Sequence, residues 1–156
     1  MGRPLPLTAG ELLPEDFYLS VGDQVEQRQR VTEQAVQTFA DLSGDHSPNH
    51  VDDEDMAQSV YQRRIAHGAL LVAYMSACST EIVERVPNVR DTATPVSLGY
   101  DRIRFIKPVF IGDELTLRYV VREVLPNEKR TISDITISNQ DDVTVCVGQH
   151  ILKWVS

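Results

Sequence analysis

The sequence has few cysteines and a shortage of basic residues, and each deficit excludes a class of protein. Its 156 residues include only Cys78 and Cys146, too few and too isolated for a disulfide scaffold or a thiolate metal cage. Lysine and arginine number 15 against 23 for aspartate and glutamate, a formal net charge of −8. Because phosphate contacts need a basic surface, we expect neither nucleic acid nor an anionic membrane as a partner. A local basic cluster could still bind an anionic small molecule.

Long apolar runs are also lacking. The longest stretch, residues 65–78, contains His67, Gly68 and Ser76, and it is shorter than the roughly 20 residues that a membrane helix needs. Residues 1–11 have no continuous apolar core like that of a signal peptide. We therefore expect a cytoplasmic protein.

The apolar pattern predicts a single α+β domain. Residues 1–20 have no clear periodicity and are expected to form an N-terminal arm on the surface of a domain at residues 21–156. A helix is predicted between Thr32, as its N-cap, and Gly44, which ends it. A second helix, from about His67 to Val86, is apolar nearly all round in its first half and must be buried on most sides.

Strand signals dominate the rest of the chain. Four segments rich in Val, Ile, Thr, Tyr and Phe are separated by turn signals. Residues 24–31 show a weak alternation of apolar and polar residues and could form a first strand. Three of the four follow one another through short connections, which favours an antiparallel meander. We expect an antiparallel sheet of about five strands wrapped around the long central helix. The four segments are residues 95–109, 114–125, 129–139 and 143–155.

A polar loop after the first helix carries the residue types of acid–base chemistry. Asp45 and His50 place a carboxylate and an imidazole five residues apart in this loop, residues 45–53. Such a pair beside an apolar helix can act as general acid and base. In the alternative interpretation, Asp45 and Asp52 cap helices and His50 lies on the surface.

A metal site is a further alternative for the same loop, because His46 and His50 are four residues apart. Pro48 lies between them and disfavours a shared helix face, and the chain has no HExxH pattern. We therefore expect no metal.

The start of the long helix is the second candidate site. Gly68 has no side chain, so a ligand can approach the backbone closely there. Free N–H groups and the helix dipole at this end suit a developing oxyanion. Alternatively, Gly68 only allows tight packing, and His67 is a hydrogen-bonded histidine of the core.

Together the two segments resemble the signature of the MaoC-like, or R-specific, enoyl-CoA hydratases of the hotdog fold. Phe39 to His50 matches most of the pattern F-A-x-x-S-G-D-x-N-P-x-H-x-D, and Ile65 to Gly68 matches I-A-H-G. A third block, Arg104 to Leu115, resembles R-F-x-x-P-V-x-x-G-D-x-L. The resemblance extends from about Tyr18 to Val155. Three blocks in the right order make it specific for the family and less so for the substrate.

The resemblance implies a reaction. Asp45 and His50 match the family's catalytic pair, and Gly68 matches the residue whose backbone N–H polarises the thioester carbonyl. The implied activity is reversible syn hydration of a trans-2-enoyl-CoA to an (R)-3-hydroxyacyl-CoA, a lyase reaction of fatty acid metabolism. It implies no metal or redox cofactor, since coenzyme A is part of the substrate.

Substrate contacts are expected from Ser47, His67 and Ser76, although the Ser76 hydroxyl could instead bond back to its own helix. Arginine suits phosphate recognition, so Arg63 and Arg104, or their neighbours Arg64 and Arg102, could meet the coenzyme A phosphates; alternatively they are only solvated.

Two positions depart from the family pattern. Ser47 stands where the family usually has Asn, and Ala69 stands where it usually has Met. The serine can still hold the loop by hydrogen bonding, with a shorter reach. The alanine frees volume that could widen the acyl pocket.

The resemblance also implies a homodimer or a dimer of dimers, with the acyl tunnel at the subunit interface. Two other activities stay open: a hotdog acyl-CoA thioesterase, and a non-catalytic acyl-CoA-binding subunit that pairs with a catalytic homologue. The presence of both Asp45 and His50 favours the hydratase.

Overall fold

The computed structural model describes residues 17–156 and contains one antiparallel sheet and one long helix, joined by shorter helices. The elements in chain order are β1 (Gln24–Arg30), α1 (Glu33–Ser43), α2 (Pro48–Val51), α3 (Asp53–Ala57), α4 (Gly68–Glu84), α5 (Val89–Thr92), β2 (Thr94–Phe105), β3 (Glu114–Leu125), β4 (Arg130–Ser138) and β5 (Thr144–Val155).

The sheet has five strands in the order β1-β3-β4-β5-β2, and every neighbouring pair is antiparallel. Strands β3, β4 and β5 are consecutive and adjacent, which confirms the predicted meander. Strands β1 and β2 are the two edges. The observed architecture confirms the α+β class and the five-stranded sheet.

Helix α4 packs one face into the core and leaves another exposed. Its buried residues include Leu71, Met75 and Ile82, which join the same apolar cluster as the sheet. The helix contacts β1 and β3. The exposed positions Ala69, Ala73, Ser76, Ala77 and Thr80 form a stripe of small residues. The sequence predicts a helix buried on most sides, whereas within a single chain this face of α4 is exposed.

Short helices occupy most of the segment for which the sequence predicts a polar loop. Pro48 is at the first position of α2, where its missing N–H would have no helical partner in any case. The Asp52 carboxylate caps α3 by accepting from the N–H groups of Glu54 and Asp55 at 3.0 and 2.9 Å. The four residues of α2 carry too little apolar periodicity to be recognised from sequence. The sequence does predict a short helix at residues 54–61, capped by Asp52 or Asp53.

The predicted N-terminal arm falls mostly outside the described residues. Within residues 17–20, Phe17 and Leu19 are buried, and the Tyr18 ring stacks on Trp154 at 4.5 Å between centroids. These residues pack against the end of β5. In residues 17–156, none of the helices has both the length and the apolar character that crossing a membrane requires.

A polar cluster is buried among the core strands. His150 on β5 is fully buried, and its ring nitrogens lie 2.9 Å from the Tyr119 hydroxyl and 2.8 Å from Ser97 Oγ. The Tyr100 ring stacks on the imidazole at 4.6 Å. Burial lowers the pKa of His150 from 6.5 to about 4, because the charged form loses its hydration.

This burial predicts a specific pH dependence of stability. The unfolded chain binds a proton at His150 as the pH falls through 6.5, whereas the folded chain resists protonation until about pH 4. The free energy of unfolding should therefore fall between these values, by about 3 kcal/mol in total. Urea unfolding at several pH values measures it. His150→Gln, which keeps hydrogen-bonding groups but does not titrate, should lose this part of the dependence; an unchanged slope would contradict the assignment.

Candidate functional site

Ile65 and Ala66 connect the polar loop to the segment before β3 through backbone hydrogen bonds. The Ile65 N–H donates to the carbonyl of Asn49 at 2.9 Å, and the Ala66 N–H donates to the carbonyl of Val109 at 2.7 Å. Ile65 also forms an antiparallel bridge with Phe110. The pair thereby holds the polar loop next to the start of α4.

The same segment fixes the His50 ring. Nδ1 of His50 lies 2.7 Å from the carbonyl oxygen of Ile65, which can only accept a hydrogen bond. In the neutral ring the proton is therefore on Nδ1, and Nε2 carries the lone pair. The His50 side chain is 12% exposed. The site thus holds an imidazole whose basic nitrogen is available and whose orientation is set by the backbone.

Asp45 faces that basic nitrogen across a gap. Its Oδ2 lies 3.9 Å from Nε2 of His50, while its Oδ1 accepts from the Ser47 N–H at 3.2 Å. A separation of 3.9 Å is too long for a direct hydrogen bond, but two bonds of about 2.8 Å to one shared water can span it. The structure therefore brings together the pair that the sequence singles out, at a separation that one bridging water can span.

Gly68 is the first residue of α4, where backbone N–H groups have no intrahelical partner. A Cβ at this position would lie 2.6 Å from Cε2 of Phe105, so the ring of Phe105 needs the glycine. The close approach expected at Gly68 is made by a side chain of the protein itself. Phe105 is 54% exposed, so its ring borders solvent.

A cavity of about 270 Å³ connects His50 with Gly68, and Asp45 is not among its lining residues. His50 and Gly68 lie in its wall, Tyr61 and Phe105 add aromatic surface, and Lys107 contributes a cation. The other lining residues are Ile65, Ala66, Leu71, Ile106, Pro108 and Val109, so the described lining holds no carboxylate. Sequence reasoning missed Lys107, although it lies inside the third matching block.

The arginines that the sequence analysis assigns to the coenzyme A phosphates contact other groups of the protein. Arg64 is 11% exposed, and its guanidinium bonds Glu33 and Asp53 at 2.7 Å each and the His50 carbonyl at 3.2 Å. These two carboxylates raise the pKa of Arg64. The guanidinium of Arg63 lies 3.7 Å from the centre of the Phe110 ring. Arg64 thus supports the backbone of His50.

Arg102 and Arg104 lie on the edge strand β2 and do not line the cavity. Arg104 donates to the carbonyl of its neighbour Ile103 at 2.7 Å. Ser76 is exposed on α4 and lines a separate cavity of about 220 Å³ with Ser97. The structure does not bring these arginines and Ser76 into the wall that contains His50 and Gly68.

The remaining two predicted contacts lie close to the pair. Ser47 donates its N–H to Asp45, and its hydroxyl does not cap α2. His67 is 2% exposed, and its Nε2 donates to the backbone carbonyl of Asp45 at 3.0 Å. This fits the sequence alternative of a hydrogen-bonded core histidine.

Asp45, His50 and His67 each place a ligand-type atom within 4.8 Å of the others. The arrangement fits a metal poorly. The carbonyl of Asp45 occupies Nε2 of His67, and the two imidazoles stack with an interplanar angle of 26°, so their in-plane lone pairs do not converge on one point. His46 pairs instead with Asp41 at 3.0 Å, which raises the pKa of that histidine.

Comparisons with known proteins identify the family and the fold of the chain. A family model described as a MaoC like domain matches residues 18–144. The chain is 27% identical over 147 residues to 3-hydroxyacyl-thioester dehydratase Z of Mycobacterium tuberculosis, covering 90% of this chain and 95% of that protein. It matches the structure of an (R)-hydratase from A. caviae with a TM-score of 0.74 at 27% identity, over 86% of this chain and 96% of that one.

A fold match alone extends to the HadBC (3R-hydroxyacyl-ACP dehydratase) complex of Mycobacterium tuberculosis, with a TM-score of 0.71 at 19% identity over 85% of this chain and 96% of that one. The family match covers most of the chain, and the antiparallel sheet with its helix is the hotdog arrangement of the matched structures. The chain therefore belongs to the MaoC-like dehydratase family and has the hotdog fold.

Proposed function

We propose that the protein catalyses the reversible syn hydration of a trans-2-enoyl-CoA to an (R)-3-hydroxyacyl-CoA, as a lyase of fatty acid metabolism in the cytoplasm. The observation that carries the proposal is the 3.9 Å gap between Asp45 Oδ2 and His50 Nε2 beside the free N-terminus of α4. The proposal includes no metal or redox cofactor, since the chain itself supplies the base and the oxyanion donor.

The gap between the two side chains is suited to a reacting water. Nε2 of His50 carries the lone pair, so it can take a proton from a water held against Asp45. As that proton leaves, the water oxygen bonds to C3 of the enoyl thioester. The electron pair of the C2=C3 bond then moves toward the thioester and forms an enolate. The tautomer favours His50 over Asp45 as the base.

The start of α4 is suited to the charge that develops next. The Gly68 N–H and the positive end of the 17-residue helix would stabilise the thioester oxygen as it becomes negative. This interaction is strongest in the transition state and therefore accelerates the reaction. The proton held by the Asp45–His50 pair returns to C2 from the same face, which gives net syn addition of water.

The walls of the cavity suit a thioester of coenzyme A. Its surface is mainly apolar, which fits an acyl chain and a pantetheine arm, and Lys107 provides a positive charge for a phosphate. This local cation removes the conflict between a phosphate-bearing ligand and a net charge of −8.

We further propose a homodimer, or a dimer of dimers, built on β2 and the exposed face of α4. Strand β2 is a 12-residue edge strand, and its Val96 and Leu98 are 38% and 51% exposed. Long apolar edges of this kind invite pairing with another strand. The adjoining small side chains of α4, centred on Ala73 and Ala77, would allow a second copy of the helix to approach closely.

The Asp45–His50 pair gives the first functional prediction. Asp45→Asn and His50→Ala should each lower kcat for crotonyl-CoA hydration by about 10²–10⁴-fold, because each removes one hold on the reacting water. Their affinity for coenzyme A should change little. Loss of the enoyl absorbance in the ultraviolet measures turnover, calorimetry measures binding, and chiral analysis of the product checks the (R) configuration.

Asp41→Asn is the matched control, because it makes the same chemical change at an exposed carboxylate that pairs with His46. It should keep its activity. Release of free thiol from acyl-CoA without hydration would instead identify a thioesterase. Binding of acyl-CoA by the wild type without turnover of short, branched or longer enoyl thioesters would identify a non-catalytic subunit, and either result overturns the proposal.

The proposed dimer gives a second prediction. Ala77→Arg places a long charged side chain on the exposed face of α4, where a single chain has room for it, so the variant should fold and sediment as a monomer. Ala57→Arg, at an exposed alanine of α3, is the matched control and should remain dimeric. A monomeric wild type, or an Ala77→Arg variant that dimerises as before, would contradict this interface.

A further inference from the structure

One buried side chain contacts both members of the Asp45–His50 pair. His67, the residue before Gly68, donates from Nε2 to the Asp45 carbonyl at 3.0 Å. Its ring also stacks on the imidazole of His50, with 3.7 Å between centroids and 26° between planes. The ring of Phe39 also packs against His67, with 4.8 Å between the ring centroids. His67 therefore links the backbone of Asp45, the ring of His50 and the start of α4.

The hydrogen bonds give the two stacked rings opposite tautomers. His50 is protonated on Nδ1, because its partner is the Ile65 carbonyl, and His67 is protonated on Nε2, because its partner is the Asp45 carbonyl. Nδ1 of His67 is buried and has no hydrogen-bond partner in the described residues. A second proton there would create a buried donor without an acceptor, which is costly. The proton of the neutral His67 ring is therefore on Nε2, and the face of that ring lies against His50.

A neutral aromatic face beside a ring that becomes cationic is a favourable arrangement. When His50 takes the proton of the water, its imidazolium lies against the face of His67. The hydrogen bond from the same ring fixes the backbone of Asp45. One side chain could therefore stabilise the charged base and set the position of its carboxylate partner.

We propose that His67 is a positioning residue of the hydration reaction: its ring face stabilises the protonated form of His50, and its Nε2–H holds the Asp45 backbone in place. This inference rests on the proposed hydratase function. It replaces the expectation that His67 binds the substrate, because a 2% exposed ring behind the pair has little surface to offer a ligand.

Among the described residues, four other charged or titratable groups lie around His50. Asp45 faces its Nε2 at 3.9 Å, and Lys107 lines the same cavity. Arg64 contacts the His50 backbone carbonyl, and Tyr61 lines the cavity. His67→Gln leaves Lys107, Arg64 and Tyr61 unchanged and keeps a donor for the Asp45 carbonyl, so its comparison with the wild type isolates the effect of the His67 ring.

Two substitutions separate the two contacts. His67→Gln keeps a side-chain N–H that can reach the Asp45 carbonyl and removes the aromatic face. His67→Phe keeps an aromatic face and removes the donor. In the pH profile of kcat/KM for crotonyl-CoA, the midpoint of the acid limb should lie about 0.5 to 1 pH unit lower in His67→Gln than in the wild type. The reason is that protonated His50 loses the stabilising ring face of His67. In His67→Phe the midpoint should stay near that of the wild type, while the plateau falls about tenfold or more.

Unchanged midpoints in both folded variants would overturn the role of the ring face, and an unchanged plateau in His67→Phe would overturn the role of the donor. NMR titration of the His50 ring in the wild type and in His67→Gln tests the stacking without turnover, with a lower midpoint expected in the variant. A protein with no hydratase activity but with this NMR difference would refute the proposed function and leave the His67–His50 contact established. Equal NMR midpoints would refute the contact. Thermal unfolding of both variants identifies one that has failed to fold, and His67→Gln alone then decides the ring-face role.

Discussion

The site depends on one hydrogen bond from a side chain to the backbone, from Nδ1 of His50 to the carbonyl of Ile65. Because a carbonyl can only accept, this bond decides which nitrogen of the imidazole is basic and where that nitrogen points. The Ile65 N–H is bonded to Asn49 and the Ala66 N–H to Val109, so the carbonyl belongs to a segment that is held on both sides. The position of the proposed base is thereby set by the backbone pairing of Ile65 and Ala66.

The rest of the molecule supports this arrangement at two levels. Close to the site, Arg64 holds the backbone of His50 to two carboxylates, and His67 holds the backbone of Asp45. On the scale of the fold, the sheet supports a long helix whose free N-terminus lies at the cavity. One part of the surface has no such support within a single chain. The exposed small residues of α4 and the apolar edge strand β2 form a surface that a second subunit would cover.

The sequence predicted the architecture well, because long strands and a long apolar helix give strong periodic signals. It predicted Asp45, His50 and Gly68 as a group only because motif order linked segments that periodicity treats separately. It could not predict α2, which is too short for a pattern, or that Phe105 packs on Gly68. The arginines show the same limit, since composition cannot tell a guanidinium engaged by Glu33 and Asp53 from one that is free for phosphate. Lys107 lay inside a matched block, but only the folded chain shows that it faces the cavity.

The central claim is that the neutral His50 ring carries its proton on Nδ1 and presents a basic Nε2 to the water held by Asp45. Measurement of the ¹⁵N chemical shifts of the His50 ring near neutral pH, with the protein labelled at histidine, tests this most directly. The account predicts a protonated Nδ1 and an unprotonated Nε2 in the neutral ring. A neutral ring with its proton on Nε2 would contradict the account, because the base would then have no lone pair facing the water.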